Sequence, residues 1–384
     1  MSTTSPRAPD QISGAAMAEP VGREAELAVG VAFLDTVGDG SGPAALLLVG
    51  EAGIGKSTIW RSLTVQAAER GFRVLQATPG LAEGELAYAA LGDLLRGVDQ
   101  DVIRVLPEPQ ARALGAALLL EPWDERGVDP RSVAAGLLGV LQALARDRPV
   151  VLAIDDGQWL DSPSRQALAF TVRRIEGLSL GILLAWRGDP DGPPPLDLSH
   201  SVTSGRLARS ALPGLTLGAL FHLLRDPAGR PFGRSTLARI ADWSGGNPLY
   251  ALEIGRAILA AGAPPPPGEP PPVGPGLAVA VGDRLRGLPR DERRTLLVAA
   301  AAPRPTVELV RAACRRLRWP VHLVSDGDVL AVTDGAITFR HPLFRAQAVG
   351  IASAADRRAV HRSLAALVSE PEGRARHLAF AAQG

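Results

Sequence analysis

The chain has 384 residues, of which 46% are hydrophobic and 21% charged, and its formal net charge at pH 7 is +1. This length suits two or three domains, and the near-zero charge gives no global sign of a nucleic-acid or membrane partner. A single cysteine excludes an internal disulfide. The absence of a signal segment or an apolar run of about 18 residues predicts a cytoplasmic protein.

The first half of the chain predicts alternating strands and helices. Residues 1–20 are small, polar and proline-containing, and we expect them to be disordered. Apolar runs that predict buried strands then alternate with segments of helical spacing. The predicted strands are Ala44–Val49, Phe72–Ala77, Val150–Ile154, Ser179–Trp186 and a last one over Leu212–Leu217; the predicted helices include Ala25–Val37, Thr58–Ala68, Ser132–Arg146 and Ser164–Ile175. This order predicts an α/β fold of three layers with a parallel sheet.

The segment after the first predicted strand fits the phosphate-loop pattern G-x-x-x-x-G-K-[S/T], with its fixed positions at Gly50, Gly55, Lys56 and Ser57. Glycines let the backbone wrap closely around phosphate oxygens, and the following helix adds its N-terminal N–H groups. Lys56 would neutralise the β- and γ-phosphates, and the Ser57 hydroxyl is placed to bind Mg²⁺. The pattern therefore predicts a site for ATP or ADP with Mg²⁺, contacted by the whole loop: Gly50, Gly53, Ile54, Gly55, Lys56, Ser57 and Thr58.

Composition supports the same assignment. Of the 41 basic residues, 40 are arginine, so Lys56 is the only lysine of the chain. A compact ammonium group suits this position better than a forked guanidinium group.

Two acidic residues follow the predicted strand Val150–Ile154. We expect this strand to lie beside the loop strand, so that Asp155 reaches the Mg²⁺ and Asp156 orients or deprotonates the attacking water. A helix N-cap is the alternative for Asp156. Arg187 ends the next predicted strand at the same sheet edge, which predicts a γ-phosphate sensor; a solvated charge at a strand end is the alternative.

The second half is divided by a proline-rich stretch over residues 263–276, which predicts a semi-rigid connector. A helical segment precedes it. Helices are predicted after it over Leu277–Leu285, Asp291–Ala301 and Val307–Leu317, and an Asp-Gly turn signal between two short apolar runs predicts a hairpin. Helices followed by a hairpin indicate a winged-helix-like unit.

Taken together, the motifs resemble the signal-transduction ATPases with numerous domains (STAND ATPases), relatives of AAA+ proteins, in particular the ATPase module of large LuxR-type bacterial transcriptional regulators. The resemblance rests on V-G-R-E (21–24), G-E-A-G-I-G-K-S-T (50–58), L-A-I-D-D-G-Q-W-L-D (152–161), L-L-A-W-R (183–187), G-G-N-P-L-Y (245–250) and F-R-H-P-L-F-R (339–345). It implies a P-loop NTPase core at 21–210, a helical lid at 211–262, the linker at 263–276, a winged-helix-like domain at 277–350 and the start of a helical region at 351–384.

The resemblance also implies residue roles. Val21, Gly22 and Arg23 would line the adenine and ribose, and Pro248 would pack near the adenine. His341 would touch the nucleotide phosphates, with a capped strand end as its alternative role.

The function implied is an ATP-binding, slowly hydrolysing switch that controls transcription through domains or partners outside this chain. Self-association in the ATP state and an unidentified inducer or partner protein are expected. Direct DNA binding by these residues is not expected, because the regulators that the chain resembles carry their helix-turn-helix further on. The alternatives are a free-standing AAA+-like motor and a non-hydrolysing scaffold that needs ATP for stability.

Overall fold

The computed structural model describes residues 20–121, 128–203, 205–225, 229, 232–266, 281–282, 285–323, 329–339 and 342–382. The chain divides into two compact units, Met1–Pro213 and Gly214–Gly384. The predicted disordered N-terminus, apart from Pro20, and residues 267–276 of the predicted linker lie outside the described residues. Among the helices within these ranges, none combines the length and apolarity needed to span a membrane.

A five-stranded parallel sheet forms the centre of the first unit. Its strands are β1 (Ala44–Val49), β2 (Arg73–Ala77), β3 (Val150–Ile154), β4 (Leu180–Trp186) and β5 (Leu207–Ala211). They are arranged in the order β2-β3-β4-β1-β5. Every residue of β1 and β3 is buried, because apolar runs of this kind form strands that are covered on both sides.

Hydrophobic clusters lie on both faces of the sheet. Alternate residues of β1 enter different clusters, Ala45 and Leu47 on one face and Leu46 and Leu48 on the other, as the two-residue period of a strand requires. The smaller cluster includes buried residues of α1 (Glu24–Gly38) and α2 (Lys56–Glu69). The larger one includes residues of α3 (Ala89–Leu94), α4 (Gln100–Arg104), α5 (Glu108–Ala117), α6 (Pro130–Leu144), α7 (Ser162–Val172) and α8 (Leu198–Ser201). The predicted three-layer α/β fold is confirmed.

Two details of the predicted sheet are wrong. The last strand spans Leu207–Ala211 rather than Leu212–Leu217. The ladder ends where the Leu212 N–H donates to the Val49 carbonyl (2.8 Å), and Pro213, which follows, has no N–H to continue it. In addition, β3 does not lie beside β1, since β4 pairs with both strands and separates them.

The second unit is mainly helical and has one hydrophobic core. Within the described ranges its helices include α9 (Leu217–Leu223), α10 (Arg234–Ser244), α11 (Pro248–Ala261), α12 (Arg290–Ala301), α13 (Val307–Leu317), α14 (Pro342–Gly350), α15 (Ala354–Ala365) and α16 (Pro371–Ala382). Residues 281–282 and 285–287, at the end of the helix predicted over Leu277–Leu285 and just beyond it, are helical too. Buried residues on both sides of the proline-rich stretch, such as Ile254 and Leu296, belong to one cluster. The predicted lid and the predicted winged-helix-like domain therefore share a core.

The predicted hairpin is present, as the antiparallel strands β6 (Leu330–Thr333) and β7 (Ala336–Phe339). Asp334 and Gly335 between them have φ angles of 50° and 78°, the left-handed backbone that tight hairpin turns favour. The hairpin follows α12 and α13, and the winged-helix-like unit stays a prediction.

Candidate nucleotide site

The loop between β1 and α2 has the backbone of an anion cradle. Gly53 and Gly55 adopt φ angles of 77° and 106°, which only glycine reaches at little cost. At Gly50 a Cβ atom would lie 2.9 Å from Ile54 Cγ2, so the loop closes on itself too tightly for a side chain there. The first N–H groups of α2 have no partners within the helix, and phosphate oxygens are their natural acceptors.

Lys56 lies inside this loop. Its Nζ atom donates hydrogen bonds of 2.8 Å to the carbonyl oxygens of Gly50 and Glu51, and the residue is only 5% exposed. Burial, and secondarily the positive charge of Arg187, lowers the pKa of Lys56 to about 8, although nearby carboxylates oppose the shift. The ammonium group is therefore charged at neutral pH and already lies among the atoms of the phosphate loop.

Ser57 and Asp155, predicted as the Mg²⁺ ligands, come together in the structure. The Ser57 hydroxyl lies beside the Asp155 carboxylate; burial raises the pKa of Asp155, and the hydroxyl opposes that shift. No group of three or more His, Cys, Asp or Glu side chains that could hold a metal is found among the described residues. One hydroxyl and one carboxylate fit Mg²⁺, which takes few protein ligands and completes its shell with phosphate oxygens and water.

The two predicted catalytic residues are paired with each other. Asp156 Oδ1 accepts hydrogen bonds from Arg187 Nε (3.2 Å) and Gln158 Nε2 (2.7 Å). Gln158 Oε1 in turn accepts from the Arg187 backbone N–H (3.1 Å). Asp156 precedes a short 3₁₀ turn, Gly157–Trp159, but its side chain makes no capping bond to it. The carboxylate therefore faces the end of β4.

Asp161, the last acid of the same motif, has a different position. It is buried and caps α7, where Oδ1 accepts from the Ser164 N–H (2.8 Å); the same carboxylate also accepts from the N–H groups of Tyr88 and Ala90. It therefore fixes the segment before α3 rather than taking part in chemistry.

Arg23 binds the backbone of the phosphate loop, a role that the sequence did not reveal. Its guanidinium group is 4% exposed. It donates to the carbonyl oxygens of Ile54 (2.7 Å) and Pro213 (2.9 Å) and to the Glu26 carboxylate (3.0 Å). The only sequence signal was the Arg23–Glu26 spacing of three residues, which places both side chains on one side of a helix start.

The remaining predicted contacts stay predictions. Val21 is 37% exposed and Gly22 has a φ angle of 65°; their contact with the adenine stays a prediction. Pro248 is the first residue of α11 in the second unit, where Asn247 caps the helix by accepting from the Leu249 N–H. His341 lies outside the described residues.

Comparison with known proteins agrees with this geometry. Residues 19–184 match the family model of the AAA ATPase domain. No curated protein matches the sequence significantly.

Among solved structures, the Walker-type ATPase PABY2304 of Pyrococcus abyssi is 17% identical, with a TM-score of 0.51 over 85% of this chain and 95% of that one. Cdc6p of Pyrobaculum aerophilum (18% identical, 92% and 97% covered, TM-score 0.45) and the ORC2 protein of Aeropyrum pernix (15% identical, 91% and 95% covered, TM-score 0.48) are also similar. The likeness to the first shows the fold. Residues 19–184 thus resemble the AAA ATPase domain in sequence, and the fold agrees with that of a P-loop ATPase; both support nucleotide binding at the loop Gly50–Thr58.

Proposed function

We propose that the chain is a nucleotide switch that binds ATP with Mg²⁺, hydrolyses it slowly and thereby controls transcription through domains or partners outside this chain. Nucleotide binding is supported by the AAA ATPase match and by the loop geometry. The transcriptional output and the ATP-dependent self-association rest on the STAND resemblance alone. The response of the site to the bound nucleotide is supported by one observation, the Asp156–Arg187 ion pair, and the slow rate of hydrolysis is part of the STAND resemblance.

In the proposed reaction the α2 N–H groups and Lys56 hold the β- and γ-phosphates. Ser57 and Asp155 would hold Mg²⁺, which neutralises the charge that develops on the phosphate oxygens. Asp156 orients a water molecule and accepts its proton as the water oxygen bonds to the γ-phosphorus and the bond to the β-phosphate oxygen breaks. Arg187 binds the γ-phosphate oxygens.

The ion pair opposes this reaction in the arrangement observed. Asp156 Oδ1 already accepts hydrogen bonds from Arg187 and Gln158, so it is not placed to receive a proton from water, and Arg187 is turned towards a carboxylate. Both side chains are about a third exposed, at 28% and 32%, and such pairs contribute only about 0–1 kcal/mol. A γ-phosphate, with its larger charge, can therefore take Arg187 from Asp156. The Asp156–Arg187 pair would then be broken when ATP is bound and present when ADP is bound.

The experiment is to measure ATP affinity and steady-state turnover of the wild type and of Asp156→Asn. We expect wild-type turnover of about 0.01 s⁻¹ or slower, the range of unassisted nucleotide switches. Asp156→Asn should bind ATP normally but turn over about 100-fold more slowly, because a general base is lost. The matched control is Asp147→Asn, an exposed acid of the same unit that pairs with its neighbour Arg148.

Two results would contradict the switch. Turnover faster than about 1 s⁻¹ without any inducer would favour a motor. Unchanged nucleotide content and assembly in Asp156→Asn, together with no measurable wild-type hydrolysis, would favour a scaffold. Lys56→Ala tests the premise that the loop binds a triphosphate, because the loss of the ammonium charge should abolish this binding. Unimpaired binding would remove the basis of the switch, the motor and the scaffold alike.

A further inference from the structure

A cavity of about 270 Å³ lies in the second unit, with a strongly basic lining. Four arginines contribute to it, Arg286, Arg290, Arg293 and Arg294, and the acid among the lining residues is Asp356. Among the described lining residues, basic side chains therefore outnumber acidic ones. A concave site lined in this way attracts anions.

Arg286 and Arg290 are exposed, whereas Arg293 and Arg294 are held by contacts of their own. Arg293 Nη1 donates to the Arg286 carbonyl oxygen (2.7 Å). The Arg294 guanidinium lies 4.6 Å from the centre of the Trp319 ring and 3.9 Å from Asp356. These contacts hold two of the four groups in place, which lowers the entropy cost of gathering them around a ligand.

One donor in this cluster is unsatisfied. Arg294 Nε is buried and has no hydrogen-bond partner among the described residues. A buried donor without an acceptor is costly and rare in folded proteins. An anionic oxygen in the adjoining cavity is a suitable acceptor for this N–H.

The helix ends and the apolar wall define the ligand further. Arg290 is the first residue of α12 and Ser353 is the N-cap of α15, so two helix N-termini open onto the cavity and add positive dipole ends. The rest of the wall includes Leu297 and Ile351. Such a lining suits an anion that also carries a short carbon skeleton.

We propose that this cavity binds a small phosphorylated organic compound. Guanidinium groups bind phosphate through paired, charge-assisted hydrogen bonds, and the apolar wall would contact the carbon part. The cavity is near the lower limit of small-molecule pockets, which begin at about 300 Å³. A compact concave site of this size suits a small molecule better than a nucleic-acid backbone. The proposal does not depend on the proposed function of the loop.

The test uses the full-length chain carrying Lys56→Ala, so that the phosphate loop does not bind the probe. Glycerol 3-phosphate is titrated in a calorimeter at fixed ionic strength, with glycerol as the neutral control. We expect saturable binding of one molecule per chain, weakened as salt is raised, and no binding of glycerol. Inorganic phosphate should bind more weakly, because it lacks the carbon skeleton.

Variants locate the binding. Arg290→Glu should weaken it by more than about tenfold, since a charge-assisted bond is replaced by a repulsion. Arg290→Lys should retain part of the affinity, because the charge stays while the fork is lost. Arg311→Glu is the matched control, with the same charge change at an exposed position of α13 outside the cavity, and should bind like the parent.

A second readout does not depend on these variants. An anion at Arg294 should alter its stacking on Trp319, so the probe should change the tryptophan fluorescence, and Trp319→Phe should remove that change. Absence of saturable binding, or an equal loss in Arg290→Glu and Arg311→Glu, would overturn the proposal. So would duplex DNA binding that Arg290→Glu abolishes while glycerol 3-phosphate does not bind.

Discussion

At the residue scale, Lys56 sets the pH range in which the loop holds a phosphate. Its pKa in the free protein is lowered to about 8 by burial, and the ammonium form is the one that attracts a triphosphate. As pH rises through 8, the free protein loses this proton and must regain it on binding.

We therefore predict that ATP affinity is constant between pH 6.5 and 7.5 and falls by about tenfold per pH unit above 8. Fluorescence titrations with an ATP analogue from pH 6.5 to 9.5 measure this slope. Lys56→Arg should bind more weakly but with no such slope, because a guanidinium group stays charged. A wild-type affinity that is unchanged at pH 9.5 would contradict the prediction.

The stability of the free protein should change in the opposite direction. The folded-state pKa of Lys56 lies below the unfolded value of 10.5, so the unfolded chain binds more protons between about pH 8 and 10.5. Within that window the contribution of Lys56 to stability rises with pH.

Arg23 provides the second prediction at this scale. Arg23→Gln would leave the Glu26 carboxylate and the carbonyl oxygens of Ile54 and Pro213 without their buried donor. Each unsatisfied group costs about 1–3 kcal/mol, so we expect a loss of about 2–4 kcal/mol in unfolding free energy and weaker ATP binding. Urea unfolding and ATP titration measure the two effects.

Two further variants distinguish the loss of the Arg23 guanidinium group from general destabilisation of the protein. Arg112→Gln, at an exposed arginine of α5, should change neither stability nor ATP affinity. Adding Glu26→Gln to Arg23→Gln should recover part of the stability, because the buried unpaired carboxylate is removed. If the double variant recovers no stability, the Glu26 carboxylate keeps a partner in Arg23→Gln, which contradicts this part of the prediction.

At the element scale, the start of the second unit depends on two chain segments that cross with their backbones in contact. A Cβ atom on Gly214 would lie 2.2 Å from the Gly245 carbonyl oxygen. The neighbouring Leu215 N–H donates to the Gly246 carbonyl (2.7 Å). The two glycines of the G-G-N-P motif therefore end α10 and also let the backbone of Gly214 and Leu215 pass close by.

We predict that Gly214→Ala destabilises the second unit by about 1–3 kcal/mol, because backbone atoms must move apart. Gly218→Ala is the control, since a Cβ there meets only Thr216 Oγ1, at 3.9 Å, and alanine favours helix α9. Thermal unfolding followed by circular dichroism compares the two variants. Equal stability of the two would refute a close backbone crossing at Gly214.

At the scale of the whole molecule, the described buried residues form clusters that lie either before or after the unit boundary at Pro213. Separate cores favour unfolding in separate steps. We predict two transitions in differential scanning calorimetry. ATP should raise the transition temperature of the first unit, and at an ATP concentration of 100 times the Kd it should add about 2.7 kcal/mol to the unfolding free energy of that unit. In Lys56→Ala the ATP effect should vanish while both transitions persist. A single transition that ATP shifts as a whole would contradict this prediction.

Much of the first unit was predictable, because its buried strands are apolar along their whole length and its loop carries a motif of fixed spacing. The strand order was not predictable, because neighbours along the chain need not be neighbours in the sheet. Val150–Ile154 does not lie beside the loop strand, because β4 lies between them, yet Asp155 still comes close to Ser57. The position of β5 was wrong because Leu212–Leu217 is as apolar as a strand, while Pro213 cannot continue the ladder.

The sequence by itself determined the phosphate loop, its single lysine and the acids and arginine at the strand ends, since each depends on local residue type and spacing. Only the tertiary structure decided that Asp156 and Arg187 neutralise each other, that Arg23 holds the loop and that four arginines gather around one cavity. These features join residues 31 to 190 positions apart or depend on side-chain direction. Pairing at such distances is set by packing of the whole unit, which no local pattern encodes.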